Sequence, residues 1–391
     1  MNNLHKNKTK IAIVVDEFPR YSEKFVFDHV VGLIKNGFDV TIFTHKKGDF
    51  SFFKKDIYKY KLNKKIRIYP SKNILRLLLS PLKTAKLAKD LLKSNSINEA
   101  IAKTVYTIPF LYNNYDIIHF EFGLIGEKMI FLKDYLSKTK FITSFRGREL
   151  YYRKRGDYNE LFRKCDRFHF ISNYLLNEAA NRGLDKNKIT IINPAIDAKL
   201  FKPSNNKHKN KKLTIISSGR LHWRKGYPYA LNAIKILKEK GYKFVYKILG
   251  SGDCEEIIKH QILQDNLQDC VKLLGAIPRE KVKEELEKAD IFLHTAVCEG
   301  FANSVLEAQA MKLPVVCSDV GGLKENIDNG KTGFLVPARE PKRIAEKIIY
   351  LMKHPKIREK FGEQGRKRVL EKFNLEKQSE EFKKMYGRLD V

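Results

Sequence analysis

Residues 290–311 read DIFLHTAVCEGFANSVLEAQAM, and the order of residue types in this stretch decides how the chain folds. Asp290 to His294 is a strand-like apolar run. Gly300 lets the backbone turn, Asn303 or Ser304 can cap a helix, and Leu306, Ala308 and Ala310 continue it. The expected unit is strand, turn, helix. It sets Glu299 before the helix and Glu307 about two turns inside it, and on a straight helix eight residues span roughly 12 Å and return to within roughly 80° of one direction. The two carboxylates can therefore hold two points of one extended ligand. Between them lie N–H groups at a helix start, where backbone dipoles favour an anion. Carboxylates accept hydrogen bonds from hydroxyls, so the stretch suits sugar hydroxyls at both ends of a ligand and phosphate between them. The plainer alternative is a buried helix with one outward Glu at 307 and one loop Glu at 299.

Working outward, the same alternation of short apolar runs and longer helical patterns fills the 391 residues. In the first half the runs are Ile11–Val15, Asp39–Thr44, Ile66–Tyr69, Ile117–Phe120, Phe141–Ser144, Phe168–Ser172 and Ile189–Ile192. In the second they are Leu213–Ser217, Phe244–Leu249, Val271–Leu274, Ile291–His294, Pro314–Ser318 and Gly333–Val336. Most lack strict alternation, as parallel strands buried on both faces do. This predicts an α/β protein of two doubly wound, Rossmann-like domains. Residues 1–200 form the first domain, a Pro-, Asn- and Lys-rich linker occupies 201–212, and residues 213–370 form the second. The helical stretch 371–391 is expected to pack back on the first domain.

Composition narrows the classes. Lys6, Lys8 and Lys10 precede an apolar run, but that run is five residues long and ends in Asp16-Glu17, so it reads as a strand rather than a leader. No stretch approaches the roughly 18 to 20 apolar residues of a membrane span. Five cysteines, Cys165, Cys254, Cys270, Cys298 and Cys317, show no metal-ligand spacing and no even pairing, which fits a reduced, cytoplasmic setting. No metal site is expected. The net charge of +31 raises the alternative of a nucleic-acid-binding protein, yet no binding motif or basic stretch interleaved with aromatics accompanies it.

Further pieces stand at predicted strand ends, where doubly wound sheets bind ligands. After Leu213–Ser217 come Ser218, Gly219, Arg220 and Leu221, then His222, Trp223, Arg224, Lys225 and Gly226. Arg220 and Lys225 can neutralise a diphosphate without a metal. Gly250 and Gly252 form a turn of the kind that lets backbone approach a ligand. The Gly275–Pro278 turn, with Ile277, has backbone placed to meet a base.

Taken in order, GRLHWRKG, ILGSGD, VKLLGAIP, ADIFLHTAVCEGFANSVLEAQAMKLPVV and GGLKENIDNGKTGFLVP resemble the donor-binding half of retaining glycosyltransferases of family 4, two-domain enzymes of the GT-B fold with a cleft between the domains. The match is dense over residues 212–340. The first half resembles the exopolysaccharide-type members through FPRYSEKF, GFDVTIFT, Asp116–His119, Ser144–Gly147 and Asn193–Asp197. The resemblance implies sugar transfer from a nucleoside-diphosphate sugar, with retained anomeric configuration and no cofactor or metal, to a glycan or lipid-linked acceptor in surface polysaccharide synthesis. In such enzymes the residue at Glu299 faces the donor sugar, Glu307 binds the ribose, and Arg220 and Lys225 hold the diphosphate. Main-chain N–H groups of Phe301, Ala302, Asn303 and Ser304, beyond Gly300, add phosphate contacts.

One departure matters. Many relatives carry a histidine where this chain has Arg146, and a guanidinium cannot act as a general base. Arg146 can hold phosphate or acceptor, with His119 or Glu121 nearby, or it can be a surface partner of Glu149. A transferase-like protein without activity is the alternative this departure raises.

The basic excess is densest over residues 54–93, with thirteen Lys and Arg against Asp56 and Asp90. Residues 71–93 mix leucines with Lys and Arg, a pattern that can lie on an anionic membrane surface. Peripheral docking on the inner face of the membrane is one expectation. A helical hairpin that turns its leucines into the domain is the other.

Overall fold

The protein is described from a computed structural model that covers residues 8–69, 81–93, 95–151, 157–204 and 212–389. The chain divides into two compact units. Met1–Ile171, Leu176–Ile192 and Ser379–Val391 make the first, and Ser172–Leu175 and Asn193–Gln378 make the second.

The first unit holds seven strands, β1 (Lys10–Phe18), β2 (Asp39–Lys47), β3 (Ile66–Ile68), β4 (Ile117–Phe120), β5 (Lys140–Phe145), β6 (Arg167–Phe170) and β7 (Ile189–Ile191). They pair in the order 3-2-1-4-5-6-7, all parallel. Six strands form the second sheet, β8 (Leu213–Ser218), β9 (Phe244–Leu249), β10 (Val271–Gly275), β11 (Ile291–His294), β12 (Val315–Ser318) and β13 (Gly333–Val336). Their order is 10-9-8-11-12-13, again all parallel. Every apolar run expected to be a strand is one. The physical reason is burial on both faces: Ile11 to Val15 and Ile291 to Leu293 are all but inaccessible, so hydrophobicity alone marks them.

In each sheet the winding direction reverses once, between β1 and β4 in the first and between β8 and β11 in the second. Such switch points leave a crevice beyond the carboxyl ends of the two strands, where ligands bind. In the first unit those ends lead into Pro19–Glu23 and Glu121, and in the second into Gly219–Lys225 and Thr295–Glu299.

The break between the units falls after Ile192, earlier than the expected residue 200. Phe201, the first residue of the expected linker, is fully buried, and the Ser204 N–H donates to Glu287. Asp197 accepts the N–H groups of Lys199 and Leu200 at 3.0 Å each, a local turn that steers Phe201 inward. The rest of that linker, residues 205–211, lies outside the described residues. At the other end, Phe382, Met385, Tyr386 and Leu389 recur at helical spacing and enter the first unit's core beside Val30, Leu33 and Ile117.

Helix Pro81–Leu92 packs against helix Ile97–Leu111, with Leu87, Leu91 and Ala100 buried together beside Leu111 and Tyr135. Those two leucines of the basic segment thus face the protein, as the hairpin expectation has it. Residues 71–80 lie outside the described residues. Among the described residues no helix is long and apolar enough to cross a membrane.

Candidate active site

In the second unit, backbone hydrogen bonds stitch the loop after β8 to the loop after β11. The Val297 N–H donates to Arg224 O at 2.8 Å, and the Thr295 hydroxyl donates to Gly226 O at 3.0 Å. Gly226 has φ +65°, and a Cβ there would stand 2.1 Å from Thr295 O, so only glycine lets the loops meet. The stitching brings Lys225 Nζ onto Glu299 Oε2 as an ion pair, both side chains about four-fifths covered. His294, at the end of β11, sets Nε2 3.5 Å from the same oxygen. Burial raises the Glu299 pKa, but the Lys225 charge and the His294 contact outweigh it and hold the carboxyl down to about 2. Burial pushes the His294 imidazole the other way, below its ordinary value, so the ring stays neutral.

The Gly300 turn is held from behind. The Gly322 N–H donates to Glu299 O at 3.0 Å, and Asn326, fully buried, accepts the Ala302 N–H at 3.0 Å while its Nδ2 donates to Ala302 O at 3.1 Å. The helix Asn303–Ala310 therefore begins one residue earlier than a side-chain cap would place it. Ala302 is the N-cap and neither Asn303 nor Ser304 caps it. Since Asn326 takes the Ala302 N–H, that group is not available to a phosphate, contrary to expectation. The amides of Asn303, Ser304 and Val305 remain as first-turn donors.

Gly250 and Gly252 stand against the neighbouring loop. A Cβ on Gly250 would lie 2.0 Å from Gly219 O, and one on Gly252 would lie 2.5 Å from Leu221 O. The space is filled by the neighbouring loop, which the Leu221 N–H to Ser251 O bond at 2.9 Å clamps in place. These glycines shape the cation loop. Arg220 projects from that loop exposed, with no carboxylate partner among the described residues, and Ile277 is half-buried in the turn after β10. Glu307 accepts from Arg279 NH2 at 2.6 Å.

The first unit carries a second constellation at its own switch point. Arg146, following β5, is mostly covered and does not pair with Glu149. Its NH2 donates to Glu121 Oε2 and its Nε to Glu121 O at 3.2 Å, while its planar face lies 4.4 Å from the Phe25 ring centroid. Glu149 accepts the Arg146 backbone N–H at 3.2 Å and the Gly123 N–H at 3.3 Å, and burial pushes its carboxyl up.

Behind Glu121 runs a chain of hydrogen bonds whose direction one carbonyl sets. Ile192 O only accepts, so His169 Nε2 donates to it at 3.0 Å and His169 Nδ1 accepts from the Ser144 hydroxyl at 2.8 Å. Ser144 Oγ then accepts from His119 Nε2 at 2.7 Å, and His119 Nδ1 accepts from the Tyr386 hydroxyl at 2.5 Å. Tyr386 in turn accepts from His29 Nε2 at 3.1 Å, and His29 Nδ1 lies 2.5 Å from Glu121 Oε1. Burial lowers the His169 pKa to about 3 and takes that of His119 well below normal, which keeps both rings neutral as this direction requires. The catalytic place expected for His119 does not hold. The ring is fully buried with both nitrogens engaged, so it can neither reach a substrate nor accept a proton. Burial also opposes the Glu121 charge, but Arg146 and His29 prevail and hold the carboxyl well below its usual range.

His29, His119 and Glu121 are the described residues whose ligand atoms converge closely enough to hold a metal ion. Their atoms are already committed to Tyr386, Ser144 and Arg146, and the guanidinium adds a positive charge at the spot a cation would take. The set fits a hydrogen-bond network better than a metal centre. His29, Ser144, His169, Tyr386, Arg279 and Asn326 were not singled out from the sequence. A histidine inside an apolar run, as in Ile117–Phe120 or Arg167–Phe170, is the signal that was present for two of the network's strands.

Two parallel, doubly wound units, each with charged residues at its switch point, define a class: the GT-B arrangement of two Rossmann-like domains. The sequence matches the family described as glycosyl transferases group 1 over residues 199–368 and Glycosyltransferase Family 4 over residues 22–200. The putative colanic acid biosynthesis glycosyltransferase WcaL of Escherichia coli is 30% identical over 367 residues, 87% of this chain and 89% of that one. The amylovoran biosynthesis glycosyltransferase AmsK of Erwinia amylovora is 29% identical over 377 residues, 88% of this chain and 90% of its own. Among solved structures, Anabaena HepE in complex with UDP superposes with a TM-score of 0.78 at 14% identity, covering 97% of this chain and 100% of that one. The chain belongs to the family 4, or group 1, glycosyltransferases.

Proposed function

We propose that this chain transfers a hexose from a nucleoside-diphosphate sugar, with retained configuration and without a metal, to a glycan or lipid-linked acceptor in surface polysaccharide synthesis. The observation that carries the reading is the Lys225–Glu299 pair at the second switch point, with an exposed Arg220 on the same loop. Names of the relatives point the same way, since they belong to amylovoran and colanic acid synthesis.

Glu299, kept ionised, accepts hydrogen bonds from hydroxyls of the donor sugar. The Lys225 ammonium has three donors, so it can keep Glu299 and still meet a phosphate. As the bond between the anomeric carbon and the diphosphate oxygen breaks, its electron pair leaves on the diphosphate. Arg220, Lys225 and the first-turn amides of Asn303, Ser304 and Val305 stabilise that growing charge. The acceptor oxygen bonds to the anomeric carbon on the face the diphosphate leaves, and its proton passes to the departing phosphate oxygen. Arg146, which cannot take that proton, serves as a fixed cation for a phosphate or for the acceptor. Glu307 holds the ribose.

A thermal-shift screen with UDP, GDP, ADP and CMP compounds tests the reading, because a ligand that binds the folded state raises its melting temperature. One nucleotide should give a clear rise that Glu307→Ala reduces. No rise with any of them sinks the proposal.

A second reading concerns place. Leu92, Ile97 and Ile101 on the helical hairpin are 49%, 68% and 58% exposed, in a stretch that also exposes Lys86, Lys89 and Lys93. Apolar side chains and cations on one hairpin suit the surface of an anionic bilayer, which would put the protein peripherally on the inner face of the membrane. Sedimentation with anionic vesicles should retain the intact protein and lose a variant with those three lysines changed to Glu. Equal retention of both defeats the idea.

A further inference from the structure

Arg279 opens the helix Arg279–Glu287 directly after the β10 turn. Its guanidinium carbon lies 5.1 Å from the centroid of the fully buried Phe201 ring, and its NH2 donates to Glu307 Oε1 at 2.6 Å. Both partners of this pair are about four-fifths covered. Stacking on a buried ring fixes the plane of the guanidinium, and a fixed plane directs its N–H groups along set lines. Glu307 therefore has one of its oxygens held in a set place before any ligand arrives.

We infer that Arg279 is a positioning residue of the donor site, one that orients Glu307 for the ribose hydroxyls of a nucleoside diphosphate and cancels its repulsion of the diphosphate. The inference rests on the reading of Glu307 as the ribose ligand. Two acids flank the expected anion in this unit, and each has its own cation: Lys225 for Glu299 and Arg279 for Glu307. An uncancelled carboxylate beside a diphosphate would weaken binding, whereas a carboxylate paired with a rigid cation can still accept from hydroxyls through its remaining lone pairs. Orienting it beforehand removes part of the ordering cost that binding would otherwise carry. A lysine could supply the charge but neither the plane nor the stack on Phe201.

The test measures, by calorimetry on the full chain, the affinity of whichever of UDP, GDP and ADP binds the native protein tightest, and beside it that of inorganic pyrophosphate, which has no ribose. Variants are Arg279→Met, Arg279→Lys, Glu307→Ala and the Arg279→Met/Glu307→Ala double, each checked for a native-like melting curve. Arg279→Met should weaken the nucleotide about tenfold and pyrophosphate by a clearly smaller factor, since pyrophosphate feels the uncancelled Glu307 charge but has no ribose for that carboxylate to hold. Arg279→Lys should recover part of that loss. Because Arg279 acts through Glu307, the double variant should bind no more weakly than Glu307→Ala alone. With the sugar donor, Arg279→Met should raise KM and leave kcat near its native value. Native affinity in both Arg279→Met and Arg279→Lys, while Glu307→Ala binds weakly, overturns the inference and leaves the ribose reading standing. Equal losses for nucleotide and pyrophosphate overturn it too, since Arg279 would then be a phosphate ligand. Native affinity in Glu307→Ala overturns the ribose reading itself.

Discussion

Each unit sets a cation against a carboxylate at its switch point, and the two pairs are built for different work. Arg146–Glu121 follows β5 and β4 in the first unit, and Lys225–Glu299 follows β8 and β11 in the second. Glu121 is wholly inaccessible and backed by His29, Tyr386, His119 and Ser144 in a single hydrogen-bonded line. Glu299 keeps part of its surface open and has His294 at 3.5 Å. The first cation is a stacked guanidinium locked by two donors to one residue. The second is an ammonium on a flexible stem that can serve two anions at once. One pair fixes a charge in place and the other can share its charge with an arriving phosphate.

The largest effect that would break this contrast is on stability. Glu121→Ala leaves Arg146 covered and without its anion, and removing one partner of a buried pair costs about 3–5 kcal/mol. Denaturant unfolding should show a loss of that size, against a smaller one for Glu299→Ala, whose side chain keeps part of its surface open. Equal losses at the two positions would mean the pairs do not differ as described.

Next in size is catalysis. Lys225→Ala should lower kcat of sugar transfer by about 10²–10³, the loss typical of one preorganised donor to developing charge. The fold should survive, so a native melting curve with native turnover would remove Lys225 from the reaction.

Why one unit was easier to read than the other follows from the same contrast. The second site is assembled from contiguous loops, so GRLHWRKG and CEGFANSVLE each carry their residues on one short segment. All thirteen strands were legible because parallel strands buried on both faces are plain apolar runs. The first site joins His29 to Tyr386 across 357 residues, which no local pattern records, and although the sequence puts Glu121 near Arg146, it does not mark the two as an ion pair. Arg279, and its pairing with Glu307 28 residues away, escaped for that reason. The break at Ile192 was hidden as well, because the Pro-, Asn- and Lys-rich composition after residue 200 masks one buried ring, Phe201. Gly250 was seen as special, but whether the space beside it holds a ligand or Gly219 O is a tertiary fact.

The pH dependence sharpens the comparison further. The Glu299 carboxyl falls from its ordinary 4.5 to about 2 in the folded chain, worth roughly 3 kcal/mol at 1.36 kcal/mol per unit. A depressed carboxyl stabilises the fold above the unfolded pKa, and that contribution is lost as pH falls through the folded one. The stability difference between native protein and Glu299→Gln should therefore be flat above about pH 5 and shrink between about pH 5 and pH 2. A difference that grows on acidification would contradict the sign of the shift.

The smallest effect probes the line behind Glu121. Tyr386→Phe keeps the ring that packs beside Phe38 and Phe382 but removes the hydroxyl that donates to His119 Nδ1 and accepts from His29 Nε2. Two buried nitrogens then lack a partner, at a cost of about 1–3 kcal/mol. If the hydroxyl only fills space, His119→Phe should be no milder in the Tyr386→Phe background than in the native one. If it links the two histidines, the second substitution should cost less once the first is made, because the unsatisfied nitrogen on His119 disappears with its ring. Unfolding free energies of the two single variants and the double variant distinguish these outcomes. Strict additivity would show that the chain from Ile192 to Glu121 is a row of separate contacts and not one connected support for Arg146.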